Sequence, residues 1–122
     1  MKLKPAPIRY VEIPAPDMEK AETFYGTVFG WKMEPSRLSD QKYTMFSTGE
    51  GELTGGLDSS RSAMDGGPVL YLQVEDIDTS LESIRRAGGA ILRAREDIGG
   101  AYGFSAMFRD PNGNVLGLWQ PR

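Results

Sequence analysis

The chain of 122 residues contains neither cysteine nor histidine. Without cysteine there is no disulfide, no thiolate nucleophile and no cysteine-bound metal, and the redox compartment is left open. Without histidine, Ser-His-Asp catalysis is excluded, and so is any zinc site built on imidazole. Carboxylates, tyrosines, serines, lysines and backbone groups remain for chemistry. A basic stripe is also missing. The net charge is −3 with lysine and arginine scattered along the chain, which argues against a nucleic-acid partner. No apolar run approaches the length of a membrane span, so no membrane partner is expected. Met1-Lys2-Leu3-Lys4-Pro5 lacks the apolar stretch of a signal peptide, and a cytoplasmic location is the default expectation.

What is present suits a globular protein: 39% hydrophobic and 25% charged residues, in a length that fits one domain or two small halves. At this size folding buries roughly two thirds of the unfolded chain's surface, enough for a core. The strongest pattern is a repeat. Met45-Phe46-Ser47-Thr48-Gly49-Glu50-Gly51 is echoed by Met107-Phe108-Arg109-Asp110-Pro111-Asn112-Gly113, and an acidic helix start at Asp17 is echoed by Asp76. The similar offsets point to one unit used twice, and pseudo-symmetric folds of that kind often place a ligand site between halves.

The pattern predicts the same element order in each half. Ile8 to Ile13 alternates as a strand, with Tyr10 and Glu12 on one face and Arg9, Val11 and Ile13 on the other. Asp17 caps a helix whose apolar face holds Ala21, Phe24, Tyr25, Val28 and Phe29, read as core, with Gly30 as its stop. Strands at 31–34, 43–47 and 53–57 follow, with a loop at 35–40 and a tight turn at 49–51. Residues 8–58 therefore form a βαβββ module, 59–67 a glycine-rich linker, and 68–120 a second βαβββ module. The second contains strands at 68–74, 90–95, 104–109 and 114–120 and a helix from about Asp78 to the Gly88-Gly89 stop. Val69, Tyr71 and Gln73 share a face of its first strand. Asp110-Pro111-Asn112-Gly113 is a strong turn signal, since proline presets φ and Asn-Gly tolerates positive φ.

Val11 to Asp17, the stretch Phe24-Tyr25-Gly26-Thr27-Val28-Phe29-Gly30-Trp31, Val74 to Asp78, and above all the closing segment Asp110 to Gln120 resemble the vicinal oxygen chelate superfamily. That superfamily includes glyoxalase I, bleomycin-resistance proteins and extradiol dioxygenases. The resemblance covers nearly the whole chain. It implies an α+β fold of two βαβββ modules, their mixed sheets curled around a cleft with the helices outside. It also implies a divalent metal in the enzymes, held by one side chain from each of four strands. Carried over by spacing, the four ligand positions fall at Tyr10, at Gly55 or Gly56, at Val69 and at Gly117. A phenol, an isopropyl group and two glycines are no zinc, nickel or iron site, so no metal cofactor is expected. A homodimer is implied by the resemblance, and sedimentation across micromolar concentrations tests it.

In the family's orientation Tyr10, Glu12, Tyr71, Gln73 and Trp119 face the cleft, and Met45 and Met107 are candidates to line it. Glu12 is the candidate proton-handling group. A lone carboxylate beside aromatics suits a general base when desolvated, or it accepts structural hydrogen bonds from Tyr10, Arg9 or backbone. Tyr71 and Trp119 read either as a stacking wall for a flat ligand, with Gln73 hydrogen-bonding it, or as ordinary core. Gly99 to Gly103 is either a lid or a plain connection, and it does not match a phosphate-binding loop. Glu50, Glu52 and Asp58 lack the ligand density of a calcium loop.

Three functions follow. The first is metal-independent binding of a small, partly aromatic molecule, without cofactor. The second is a lyase, isomerase or dioxygenase that uses Glu12 or a carboxylate-bound divalent metal. The third is a regulatory module with a filled cleft.

Overall fold

Both helices begin where a carboxylate answers the unpaired N–H groups of a first turn. Asp17 accepts from the Lys20 N–H at 3.1 Å and starts α1 (Met18–Phe29); Asp76 accepts from the Thr79 N–H at 3.2 Å and starts α2 (Ile77–Arg86). The second helix thus starts one residue before the expected Asp78, directly after the acidic start at Asp76. Gly30, at φ 71°, ends α1 in the left-handed conformation that glycine adopts without a Cβ penalty. The computed structural model describes residues 4–36, 42–49 and 54–122. No helix among them is long and apolar enough to cross a membrane.

The chain divides into two compact units. Residues 10–69 form the first, residues 1–9 with 70–122 the second. Around α1 lie β1 (Ile8–Pro14), β2 (Lys32–Pro35), β3 (Tyr43–Ser47) and β4 (Gly55–Asp58). Their order is β2-β3-β4-β1, antiparallel except that β1 runs parallel to β4. Around α2 lie β5 (Val69–Gln73), β6 (Ala90–Asp97), β7 (Phe104–Arg109) and β8 (Val115–Gln120). Their order, β6-β7-β8-β5, repeats the first, with β5 parallel to β8. The architecture is the α+β fold of two βαβββ modules that the repeat predicts.

Each helix covers one face of its own sheet. In the first module Ala15, Met18, Phe46 and Leu57 form the core, backed by Val11, Ile13, Tyr25, Trp31 and Met33. In the second, Ile77, Leu81, Ala106, Phe108 and Leu118 play that part. Since strand side chains alternate, the neighbours of these residues lie on the helix-free faces. Gln120 ties α2 to its sheet, its side-chain oxygen accepting from the Ile77 N–H at 2.8 Å.

The expected core face of α1 needs correction. Tyr25 is half-buried, but Phe24, Val28 and Phe29 are 53%, 57% and 59% exposed. The helix turns its Met18–Ala21–Tyr25 stripe to the sheet instead. Tyr25 stacks on Trp31 with ring centroids 4.7 Å apart, and Trp31 on Phe46 at 4.5 Å. This ring stack fixes the rotation of the helix and leaves Phe24 and Phe29 at its rim. Trp31 also gives its N–H to Tyr25 O, so β2 starts at Lys32 rather than Trp31. In the second module β6 runs two residues beyond the expected end, with register shifts on either side of Arg93. The loop at 37–40, the turn at Glu50-Gly51, Leu53 and the acids Glu50 and Glu52 lie outside the described residues.

The Asp110 turn is built as its sequence suggests. One carboxylate oxygen accepts from the N–H groups of Asn112 and Asn114, the other from the Asn114 side-chain amide. Gly113 takes φ 94°. The Asn114 amide, then the backbone N–H groups, holds the Asp110 carboxyl below the usual carboxylate range.

Candidate functional site

The helix-free face of the first module carries a chain of hydrogen-bonded polar side chains. Tyr43 Oη donates to Glu12 Oε2 at 2.9 Å, and the Tyr10 and Tyr43 hydroxyl oxygens lie 2.7 Å apart. A phenol has one proton. Tyr43 gives its proton to Glu12, so Tyr10 is the donor to Tyr43, and the order runs Tyr10 to Tyr43 to Glu12. All three side chains are half-buried, so each keeps some contact with solvent. Burial, and then the Glu12 charge, pushes the Tyr43 phenol far above its ordinary range and keeps it neutral.

Gly56 makes room for this chain. Glu12 registers with Gly56 across β1 and β4, and Met45 registers with it across β3 and β4. A Cβ at position 56 would overlap the Tyr43 hydroxyl and lie 2.6 Å from that of Tyr10. One at Gly55 would point the other way, into Val11 and Phe46. The second module repeats the arrangement: Tyr71 registers with Gly117, and a Cβ there would collide with the Tyr71 ring. Glu12 and Tyr71 hold equivalent places relative to Asp17 and Asp76. Gly56, rather than Gly55, is therefore the counterpart of Gly117 in strand register.

Tyr71 is 7% exposed over Gly117. Gln73 registers with Trp119, and Met107 with Gly117, so these four predicted residues share the helix-free face of the second module. Trp119 does not leave its indole N–H for a ligand. It donates to Tyr102 O at 2.6 Å and so anchors the glycine-rich loop. That loop is also closed by Ile98 N–H to Gly103 O at 2.8 Å. Gln73 accepts from Arg9 Nε at 3.0 Å. Arg93 reaches Ser105 with its guanidinium and pairs with Glu96 at 3.3 Å. In the first module Asp58 accepts from the N–H and hydroxyl of Ser60.

Tyr43 was missed as a site residue. Its signal was the alternation of β3, which puts Tyr43 on the face of Met45, a cavity candidate from the outset. Arg93 and Ser105 were missed because the register shifts in β6 hide which β6 residues meet β7.

The two modules and their tyrosine-over-glycine pairs define a duplicated βαβββ protein. The Glyoxalase/Bleomycin resistance protein/Dioxygenase superfamily model matches residues 8–118, and the chain belongs to that family, the vicinal oxygen chelate superfamily. It is 29% identical to the protein CFP32 of Mycobacterium tuberculosis over 117 residues, which make up 91% of this chain and 44% of the relative. The chain thus spans less than half of that relative's length. A glyoxylase-like domain-containing protein of Didymella fabae is 28% identical over 111 residues, 86% of each chain. Among solved structures, the hypothetical protein BH1468 of Bacillus halodurans superposes with TM-score 0.76 at 13% identity, over 98% of this chain and 96% of that one.

The residues at the four positions carried over by spacing, Tyr10, Gly56, Val69 and Gly117, do not fit a divalent metal. Tyr10 is a donor to Tyr43, Val69 is buried hydrocarbon, and each glycine lies under a phenol ring or hydroxyl. Among the described residues no three His, Cys, Asp or Glu side chains converge.

Proposed function

We propose that this protein binds a small, partly aromatic molecule on the helix-free sheet faces and does so without a metal. The observation that carries this reading is the filling of both glycine positions by tyrosines from other strands. The surroundings are aromatic, thioether and hydrogen-bonding groups, namely Tyr10, Glu12, Tyr71, Gln73, Met107 and Trp119. Such groups suit a flat molecule with a few polar points. The setting proposed is a homodimer in the cytoplasm, and the partner is a small molecule.

A thermal-shift screen of small aromatic compounds in the presence of a chelator tests this, because a ligand selective for the folded state raises Tm. Trp119→Ala is expected to abolish the shift, at a stability cost of about 3 kcal/mol. Glu12→Gln is expected to leave the binding of neutral aromatics nearly intact. A wild-type protein that no aromatic compound stabilises contradicts the reading.

The Tyr43–Glu12 hydrogen bond also supports a second reading. A fixed carboxylate beside a neutral phenol is a base–acid pair of the kind a lyase or isomerase uses. Under that reading Glu12→Gln removes turnover while binding persists.

A further inference from the structure

From the way β6 turns Arg93 onto the helix-free face of the second module, we infer that this face recognises a carboxylate carried by a flat aromatic molecule. The Arg93 guanidinium is the anchor and Ser105 the residue that positions it. This names a ligand class for the binding function proposed above and rests on it.

A break in β6 puts the guanidinium there. Ile91 registers with Phe108, and both pack on the α2 side of the sheet. Regular alternation would return residue 93 to that covered side. The register shift makes Leu92 the extra residue and sets Arg93 opposite Met107, on the helix-free face. Leu92 itself stays 46% exposed. A bulge alone protects an edge strand such as β6 from foreign strands, and that protection does not require a half-buried arginine.

The donors suit a planar oxyanion. A guanidinium has five N–H groups. Arg93 donates one to Ser105 O at 3.4 Å and one to Ser105 Oγ at 3.2 Å, and its Nη1 lies 3.3 Å from Glu96. The Nε–H has no acceptor among the described residues, and neither has the Ser105 hydroxyl proton. The Glu96 side chain is 59% exposed, and ion pairs of that kind are weak. A carboxylate that brings two oxygens to a guanidinium held in place by Ser105 makes stronger, charge-assisted bonds.

The neighbours suit an aromatic ring. Ser105 registers with Trp119, and Arg93 with Met107. Arg93 and Trp119 stand two strand spacings apart, about 10 Å at the backbone, a span that the arginine side chain and one ring fill. Tyr102 O already holds the indole N–H, so a ligand meets Trp119 through its fixed ring rather than through its donor. Met107 between them supplies an adaptable apolar contact. Charge agrees with this placement. Residues 1–9 with 70–122 carry nine basic and seven acidic side chains, net +2, whereas residues 10–69 carry five and ten, net −5. An anion is therefore drawn to the second module rather than to the first.

Three isosteric probes test the inference by NMR titration: benzoate, benzamide and benzamidinium. Wild-type protein is expected to bind benzoate at least about tenfold more tightly than benzamide, with benzamidinium weakest. Arg93→Gln is expected to bring benzoate to the level of benzamide while the affinity for benzamide stays unchanged. Ser105→Ala is expected to lower the benzoate-to-benzamide ratio in part. A purely structural role for either residue would weaken both probes alike and leave the ratio where it was. The comparison of probes on the wild type needs no variant to fold. Benzamide binding as tightly as benzoate overturns this inference and leaves the proposed function standing, and so does a benzoate preference that survives Arg93→Gln. Failure of all three probes to bind also overturns it; together with a silent thermal-shift screen, that failure overturns the proposed function as well.

Discussion

Tyr43 is held neutral by burial and by the Glu12 carboxylate, and this has a consequence at alkaline pH. Its folded-state pKa lies above the unfolded value of about 10. The stability it contributes is whole below that pH and is lost as pH rises above it, because only the unfolded chain then releases the proton. Tm is expected to fall between about pH 10 and 11.5 more steeply for wild type than for Tyr43→Phe. Parallel curves would contradict the assignment. Near neutral pH, Tyr43→Phe takes one partner from Tyr10 and one from Glu12, a loss of about 1–3 kcal/mol. At this scale the sequence disclosed the participants unevenly. Tyr10 and Glu12 follow from the alternation of one strand. Tyr43 comes from a strand 31 residues away from Glu12 and depends on a register that no local pattern encodes.

At the scale of elements, the paired strands explain why two positions must be glycine. Gly117→Ala is expected to destabilise the protein by about 1–3 kcal/mol, since the added methyl group meets the Tyr71 ring. Combined with Tyr71→Ala, the penalty should shrink, and a double-mutant cycle by chemical denaturation measures the coupling. Additive effects would place the Tyr71 ring elsewhere. The elements themselves were largely legible, because their signals are local: Asp17 and Asp76 as caps, Gly30 as a stop, Asp110 to Gly113 as a turn. The buried face of α1 was not. Phe24, Val28 and Phe29 have helical spacing, but Trp31 and Phe46 stack with Tyr25 and set the rotation of the helix. Hydrophobic periodicity alone cannot choose between two adjacent stripes.

At the scale of the molecule, the duplication was legible because order and spacing survive where residue identity has drifted. Family membership followed from the closing hairpin and the first helix. The repeat also locates the positions at which the resemblance implies metal donors, whatever residues now stand there. What filled those positions was not legible, because both phenols reach their glycines through tertiary register. The central proposal, that the protein binds its ligand without a metal because tyrosines fill the space over Gly56 and Gly117, has a direct test. Protein purified from metal-replete medium can be assayed for manganese, iron, nickel and zinc by mass spectrometry, then titrated before and after EDTA with an aromatic compound that raises its Tm. Less than about 0.1 equivalent of metal per chain, with an affinity that EDTA does not change, is the predicted result. About one equivalent per chain, removed by EDTA together with binding, would contradict it.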